Sequence, residues 1–119
     1  MEQKYIKGDI VMYNNRIHTI MDILGLNNYE LSYISHPVHQ LELSGVPLTP
    51  EILEKNRWKL INGFYWSPNE EGAGVGLLSQ TGYVWKAYIE RHLLRSNINN
   101  VSDLQHLLFG LGFNSEMEV

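Results

Sequence analysis

The chain has 119 residues and a mass of 13.8 kDa, which is the size of one domain. Hydrophobic residues make up 44% of it and charged residues 18%, so the composition is that of a folded protein and excludes a disordered one. The absence of cysteine excludes a disulfide scaffold, a thiolate metal site and a cysteine nucleophile, and the net charge of −4 argues against a broadly basic nucleic-acid-binding protein.

The N-terminal sequence does not have the pattern of a signal peptide. Charges occur at Glu2, Lys4, Lys7 and Asp9, and no apolar core region follows them. The apolar runs elsewhere are far shorter than the roughly 20 residues that span a bilayer. Together with the lack of cysteine, these features predict a cytoplasmic protein that has no membrane association.

The first 46 residues are predicted to be rich in β-strands. Asn14-Asn15 is a tight hairpin turn between two β-rich runs, because asparagine tolerates the positive φ that such a turn needs. A second turn lies at Gly25–Asn28. The four predicted strands, each with alternating or β-branched residues, are 10–13, 16–23, 29–34 and 38–43.

A short helix is predicted to connect this half to the next. Thr49 is a good N-cap residue, Pro50 suits the first helical position, and Glu51 lies near the positive end of the helix dipole. The helix is expected to end near residues 56–58, with Ile52 and Leu53 facing the core.

The remaining residues predict a second small sheet and a C-terminal helix. Strands are expected on both sides of an Asn62-Gly63 turn, at 75–78 and at 83–89, and residues 92–98 are a further strand or an irregular connector. The helix has Ser102 as its predicted N-cap and Gly112 just beyond its end, and residues 113–119 add a final edge strand. Its apolar residues recur with helical spacing at Leu104, Leu107, Leu108 and Leu111.

These elements predict a single α+β domain over residues 1–119. A β-rich half, residues 1–46, resembles a small barrel or twisted antiparallel sheet. Residues 47–119 contain the connecting helix, the second antiparallel sheet and the C-terminal helix.

Three segments resemble short uncharacterised proteins of gut bacteria, their phages and other mobile elements, and the first of them is the opening G-D-I-V-M-Y, residues 8–13. Residues 47–55, P-L-T-P-E-I-L-E-K, match the family pattern P-L-T-x-E-x-L-x-K, and Trp58 fills the place of the following aromatic, while Arg57 replaces the usual glycine. Residues 101–112, V-S-D-L-Q-H-L-L-F-G-L-G, are similar to the family's V-H-x-L-Q-N-L-Y-F-x-L-T-G. The resemblance implies a shared fold and a phage or mobile-element origin, and it implies no activity because none is known for the family.

The N-terminal hairpin has a second resemblance. The segment K-G-D-I-V-M-Y-N-N-R-I-H-T-I-M-D-I, residues 7–23, is similar to the first hairpin of KOW- or Tudor-like small β-barrels. That resemblance implies a nucleic-acid-binding accessory protein as one functional hypothesis.

No residue grouping in the sequence is typical of catalysis, a cofactor or a metal. His36 and His39 are separated by a proline that disfavours a helix, and on a strand their spacing points them to opposite faces. Glu70 and Glu71 are adjacent carboxylates of a loop, where they are expected to face water. The G-A-G-V-G run at 72–76 lacks the spacing of a phosphate-binding loop, and no G-x-S-x-G occurs. An enzyme using Glu70, Glu71 and a histidine is the least supported hypothesis.

The aromatic residues are unevenly distributed, since seven of the thirteen lie between Trp58 and Tyr88. Neighbouring rings on a strand point to opposite faces, so two interpretations stay open. Either one face forms the core and tyrosines cover the other, or an exposed aromatic surface binds a partner. The residues of the predicted interaction surface are Phe64, Tyr65, Trp66, Tyr83, Trp85, Lys86, Tyr88, Arg91 and Arg95.

Two functional hypotheses use these features. The first is a non-enzymatic interaction module that binds a protein partner or a second copy through the aromatic surface. The second is a nucleic-acid-binding accessory protein, which uses either the hairpin Lys7–Ile23 or the segment Lys86–Arg95, where basic side chains could contact phosphates while rings stack on bases. No cofactor is expected under either hypothesis.

Overall fold

The computed structural model of the chain describes residues 3–68, 74–82, 84–90 and 92–119. The protein is α+β, and the strand-rich N-terminal half, connecting helix, second sheet and C-terminal helix follow one another as predicted. Two compact units divide the chain: Met1–Val46 with Asn100–Glu116, and Pro47–Asn99 with Met117–Val119. The C-terminal helix therefore belongs to the unit of the N-terminal strands, although the sequence grouped it with residues 47–119. The single domain stays a prediction.

The first unit contains a half-barrel sheet of five antiparallel strands in the order β4-β3-β2-β1-β5. Asn14 and Asn15 join the first two strands with φ values of 49° and 62°, so the predicted hairpin turn is confirmed. The strands are β1 Ile10–Tyr13, β2 Arg16–Ile23, β3 Asn28–Leu31, β4 Val38–His39 and β5 Ser44–Gly45.

Two predicted strands of this unit are shorter than the sequence indicated. β3 ends at Leu31, because Tyr33 has a φ of 63° and leaves the sheet. The expectation of a strand over 38–43 is wrong beyond His39, since a 3-10 helix follows at Gln40–Glu42. Nδ1 of His39 accepts a hydrogen bond from the Leu41 amide, and the Glu42 carboxylate accepts one from the His39 amide, both at 3.1 Å. This reciprocal capping starts the helix.

The core of the first unit is built around two tyrosines. The rings of Tyr5 and Tyr29 meet edge to face at 5.8 Å. The Tyr29 hydroxyl donates to Oε1 of Gln40 at 2.6 Å, whereas the buried Tyr5 hydroxyl has no hydrogen-bond partner in the described part of the chain. The buried apolar residues of this core are Tyr5, Val11, Ile20, Tyr29, Leu31, Val38 and Leu43.

Replacing Tyr5 by phenylalanine is expected to leave stability at neutral pH unchanged or higher by up to about 1 kcal/mol, because it removes a buried unpaired hydroxyl. Burial, and then the charges of Tyr29, Asp9 and Asp103, raise the pKa of Tyr5 above its ordinary value of 10.0. The stability linked to Tyr5 is therefore intact below pH 10.0 and falls as pH rises through the folded-state pKa. The Tyr5→Phe variant loses less stability over that range.

Urea denaturation at neutral pH and at a pH above 10.0 measures this difference. Tyr33→Phe is the control, because Tyr33 is fully exposed on the same unit. Equal losses of stability at alkaline pH in the Tyr5→Phe variant and in the wild type would contradict the prediction.

Helix α2, Val101–Gly110, completes the first unit. Its N-cap is Asn100 rather than the predicted Ser102, since Oδ1 of Asn100 accepts from the Asp103 amide and from the Ser102 hydroxyl, each at 2.8 Å. Leu104 and Leu108 are buried as the helical spacing predicted. The helix ends as predicted, because Gly112 follows the C-cap residue with a φ of 77°.

The second unit contains helix α1, Pro50–Lys55, and a second five-stranded antiparallel sheet, which runs in chain order from β6 to β10. The hydroxyl of Thr49 accepts a hydrogen bond from the Ile52 amide at 3.3 Å, so the predicted cap is confirmed. Residues 92–98 form a strand. The strands are β6 Lys59–Ile61, β7 Phe64–Trp66, β8 Val75–Leu78, β9 Trp85–Ile89 and β10 His92–Ile98.

The predicted edge strand at residues 113–119 is wrong. The backbone of Glu118 pairs with the side chain of Asn56, which donates to the Glu118 carbonyl at 2.7 Å and accepts from its amide at 2.8 Å. A side-chain amide thus takes the place of a neighbouring strand for this part of the tail.

Candidate interaction surface

The two faces of the second sheet separate the predicted surface residues. Tyr65 pairs with Leu77, and Leu77 pairs with Ala87, two residues from Trp85, so Tyr65 and Trp85 share one face. Leu77 and Ala87 are fully buried, and this inner face forms the core of the unit. Helix α1 contributes the fully buried Leu53 to the same unit.

Trp85 is part of that core rather than of a contact surface. Its side chain is 3% exposed, and its indole N–H donates to the carbonyl of Leu48 at 2.9 Å. The Tyr65 ring meets it edge to face at 5.9 Å. Partial burial, followed by the carboxylates of Glu54 and Glu51, raises the pKa of Tyr65. The prediction that Tyr65 and Trp85 belong to the interaction surface is therefore wrong, because both side chains lie on the inner face of the sheet.

The outer face carries a row of side chains that crosses all five strands. Lys59 pairs with Trp66, Trp66 with Gly76, Gly76 with Tyr88, and Tyr88 with Leu93. Directly paired residues point to the same side of an antiparallel sheet. Both predicted surface residues in this row, Trp66 and Tyr88, are therefore on the outer face.

A second row lies two residues further along the strands. Ile61 pairs with Phe64 on β6 and β7, and Lys86 pairs with Leu78 on β9 and β8. Phe64 is two residues from Trp66 and Lys86 is two residues from Tyr88, so all of these side chains occupy the outer face.

The three outer rings form one cluster. Phe64 lies 5.7 Å from Trp66 with an interplanar angle of 32°, and it meets Tyr88 edge to face at 5.7 Å. Gly76 makes this possible, because a Cβ atom there would come within 2.9 Å of Cζ3 of Trp66. The Trp66 ring thus occupies the space that a side chain of β8 would fill.

Exposed aliphatic side chains extend the cluster on both sides. Ile61 is 52% exposed and Leu93 is 53% exposed, while the three rings are partly buried. We call this surface the aromatic face, defined by Ile61, Phe64, Trp66, Tyr88 and Leu93. Its charged neighbours within the sheet are Lys59 and Lys86, both exposed. None of the five strands, as described, contains aspartate or glutamate.

The other predicted surface residues are placed differently. Arg95 pairs with Ala87 after a register shift on β10, so its register position belongs to the inner face of the sheet, although the residue is exposed at the edge strand. Tyr83 and Arg91 lie outside the described residues, as do Glu70 and Glu71 of the enzyme hypothesis.

The histidines of the first unit make separate contacts. Nδ1 of the buried His18 lies 2.8 Å from the Ser32 carbonyl, and Nε2 of His36 lies 3.5 Å from the Tyr13 hydroxyl. His106 was expected at the surface near a polar Gln105, yet its Nε2 forms a hydrogen bond of 2.5 Å with the buried carboxylate of Asp9. Among the residues that the structure describes, no three histidines or carboxylates are grouped to hold a metal ion.

Gln105 is a polar residue of the first unit that the sequence did not identify as structural. It is buried, its carbonyl oxygen accepts from the Ile10 amide at 2.9 Å, and its amide donates to the carbonyls of Gly8 at 3.0 Å and Ser115 at 3.1 Å. Helix α2 is thereby joined to the start of β1.

One shallow groove of about 480 Å³ lies along β2 and β3. Asp22 and Glu30 are paired across these strands, and the exposed Tyr33 borders them. Its lining residues are Met21, Asp22, Glu30, Leu31, Ser32, Tyr33, Ile34 and Ser35. The groove thus combines carboxylates and a ring without a histidine. No helix in the described ranges is long and apolar enough to cross a membrane.

No family model matches the chain, and neither the curated proteins nor the solved structures give a significant match. The resemblance to small proteins of gut bacteria, phages and mobile elements stays a prediction. The candidate site therefore rests on the geometry of the chain itself.

Proposed function

We propose that this protein is a non-enzymatic interaction module and that the aromatic face is its contact surface. The observation that carries the proposal is the exposure of Ile61 and Leu93 on either side of the three-ring cluster. Antiparallel sheets commonly place polar side chains on their solvated face, and aromatic residues are enriched where proteins make contacts.

A purely structural role accounts for only part of this arrangement. Packing of Trp66 over Gly76 covers the backbone of β8 and stabilises the sheet. It gives no reason for two further aliphatic side chains, Ile61 and Leu93, to be more than half exposed on the same face. A contiguous apolar surface with a polar border is typical of an interaction site.

The proposal is tested by cross-linking in the cells that produce the protein, followed by identification of the cross-linked species. The Ile61→Thr/Leu93→Thr double variant makes the aromatic face more polar on β-strands that tolerate threonine. Leu26→Thr/Leu41→Thr is the control, because Leu26 and Leu41 are aliphatic residues of the first unit that are more exposed still, at 87% and 75%.

A partner that cross-links to the wild type and to the control, and is lost from the face variant, is the expected result. Cross-linked species that are identical in all three proteins would contradict the proposal. Thermal denaturation of the three proteins separates loss of binding from loss of folding.

A further inference from the structure

We infer that the ligand of the aromatic face is single-stranded nucleic acid, bound by stacking of bases on the accessible parts of the three partly buried rings and by contacts of phosphates with Lys59 and Lys86. This inference rests on the proposed function and names the class of partner. Of the two nucleic-acid sites predicted from the sequence, it sets aside the N-terminal hairpin and keeps Lys86 of the Lys86–Arg95 segment, with Lys59 in place of the arginines and with the rings of the outer face.

The charge of the face selects an anionic ligand. Lys59 and Lys86 lie in adjacent rows of the outer face, and both are exposed. The strands of this sheet, within the described residues, carry no carboxylate, and the exposed Glu90 lies one residue beyond the end of β9. The strands of the face thus contribute two lysines and no acidic residue on a chain whose net charge is −4.

The rings provide the surface on which a base stacks. Trp66 and Tyr88 are in line across β7, β8 and β9 with glycine between them, and Phe64 contacts both rings. Flat π-surfaces on the open side of an antiparallel sheet are a recurrent platform for unpaired bases. The bases of duplex DNA are already paired and stacked on one another, so they are not available to stack on these rings.

The size of the face disfavours a second copy of the chain as the occupant. Five strands at roughly 4.8 Å spacing give a row about 19 Å long, and the two rows are about 7 Å apart. The resulting few hundred Å² are less than the roughly 800 Å² that each partner of a stable protein complex buries. Two or three nucleotides need far less area, because each stacked base contributes separately.

Binding of this kind is expected to be weak and to depend on salt. Two phosphate contacts on a single strand give a slope of about −1.4 for log K against log salt. Raising salt from about 50 to about 200 mM should therefore weaken binding about sevenfold.

The experiment titrates the protein with labelled oligo-dT and oligo-rU of roughly 12 nucleotides, which exceeds the shortest site sizes for single strands. Fluorescence anisotropy of the labelled oligonucleotide measures binding, and quenching of tryptophan emission shows whether the oligonucleotide binds next to a tryptophan. Trp58 and Trp85 are 5% and 3% exposed, so quenching by bases is expected to come from Trp66.

Three variants resolve the contacts. Lys86→Gln is expected to reduce the salt slope by about 0.7, and Tyr88→Leu to weaken binding at least about fivefold while keeping an apolar side chain. Lys7→Gln changes the charge by the same amount on an exposed residue of the first unit, and is expected to leave binding unchanged. Circular dichroism of each variant verifies the fold.

Several outcomes would overturn the inference. These are no binding of either oligonucleotide at low salt, equal binding by the wild type and the Tyr88→Leu variant, and loss of binding in Lys7→Gln alone, which would place the site on the hairpin. A concentration-dependent dimer in sedimentation that the Ile61→Thr/Leu93→Thr variant abolishes would identify a second copy as the occupant. A protein partner that still binds the aromatic face after nuclease treatment would support the proposed function and overturn only this inference.

Discussion

Replacing Trp85 by alanine is expected to lower the free energy of unfolding by about 3–5 kcal/mol. The indole fills the core of the second unit, where Tyr65 packs against it edge to face. Its removal leaves a cavity and deprives the buried Leu48 carbonyl of the hydrogen bond from the indole N–H. An effect of this size is a large fraction of the total stability of a small protein.

Urea denaturation followed by far-UV circular dichroism measures the loss, and Trp66→Ala is the matched control. Trp66 is the same residue type in the same sheet, but it lies on the outer face and is only partly buried. We expect its replacement to cost less than half as much as that of Trp85. A Trp66→Ala variant as unstable as Trp85→Ala would show that the outer rings are core and would remove the basis of the aromatic face.

Replacing Gln105 by leucine is expected to lower the free energy of unfolding by about 2–4 kcal/mol. The side chain is buried. It accepts a hydrogen bond from the Ile10 amide, which is 95 positions away in the sequence, and donates one to the Gly8 carbonyl, which is 97 positions away. Leucine fills a similar volume but satisfies neither backbone group, and a buried polar group without a partner costs roughly 1–3 kcal/mol.

Chemical denaturation gives the size of this effect, and hydrogen exchange gives its location. The Ile10 amide is expected to exchange faster in the Gln105→Leu variant, since it loses its acceptor. Phe109→Ala is the control, because Phe109 is 66% exposed on the same helix and its replacement is expected to change stability by less than about 0.5 kcal/mol. Unchanged exchange at Ile10 would contradict the prediction.

The parts of the fold that could be predicted from the sequence are those that depend on local chemistry. Two consecutive asparagines adopt positive φ at the first hairpin, and Thr49 followed by Pro50 begins helix α1. In both cases the residues that determine the conformation are adjacent in the chain. Arg57 is an exception, since its φ of 68° lies in the region that favours glycine and the arginine itself gives no local signal of it.

The parts that could not be predicted depend on partners that are distant in sequence or on unusual chemistry. Asn100 and Ser102 are both good N-cap residues, and the pattern alone does not choose between them. His39 performs a capping role that serine or threonine usually has, so the 3-10 helix at Gln40–Glu42 gave no familiar signal. Gln105 has the polarity of a surface residue, and its burial follows from backbone groups of the N-terminal strand.

The sequence predicted the segment of the candidate site, but the assignment of its side chains to the two faces of the sheet required the structure. Alternation along Phe64–Trp66 predicts that neighbouring rings point to opposite sides. Only the cross-strand register assigns Trp66 and Tyr88 to one face and Trp85 to the other. Gly76 leaves room for Trp66, but the two are ten residues apart, so only the register of β7 and β8 reveals that they are paired.

The discontinuity of the first unit also determines the order in which the newly made chain can fold. Its strands are synthesised first, yet the Asn100–Glu116 segment that completes the unit follows the entire Pro47–Asn99 segment. Contacts between residues so far apart close slowly, because the chain entropy of a long loop is lost before they form. During translation the second sheet can therefore assemble while the first still exposes the surface that α2 will cover. The emergence of α2 from the ribosome therefore sets the earliest moment at which the N-terminal strands can complete their unit.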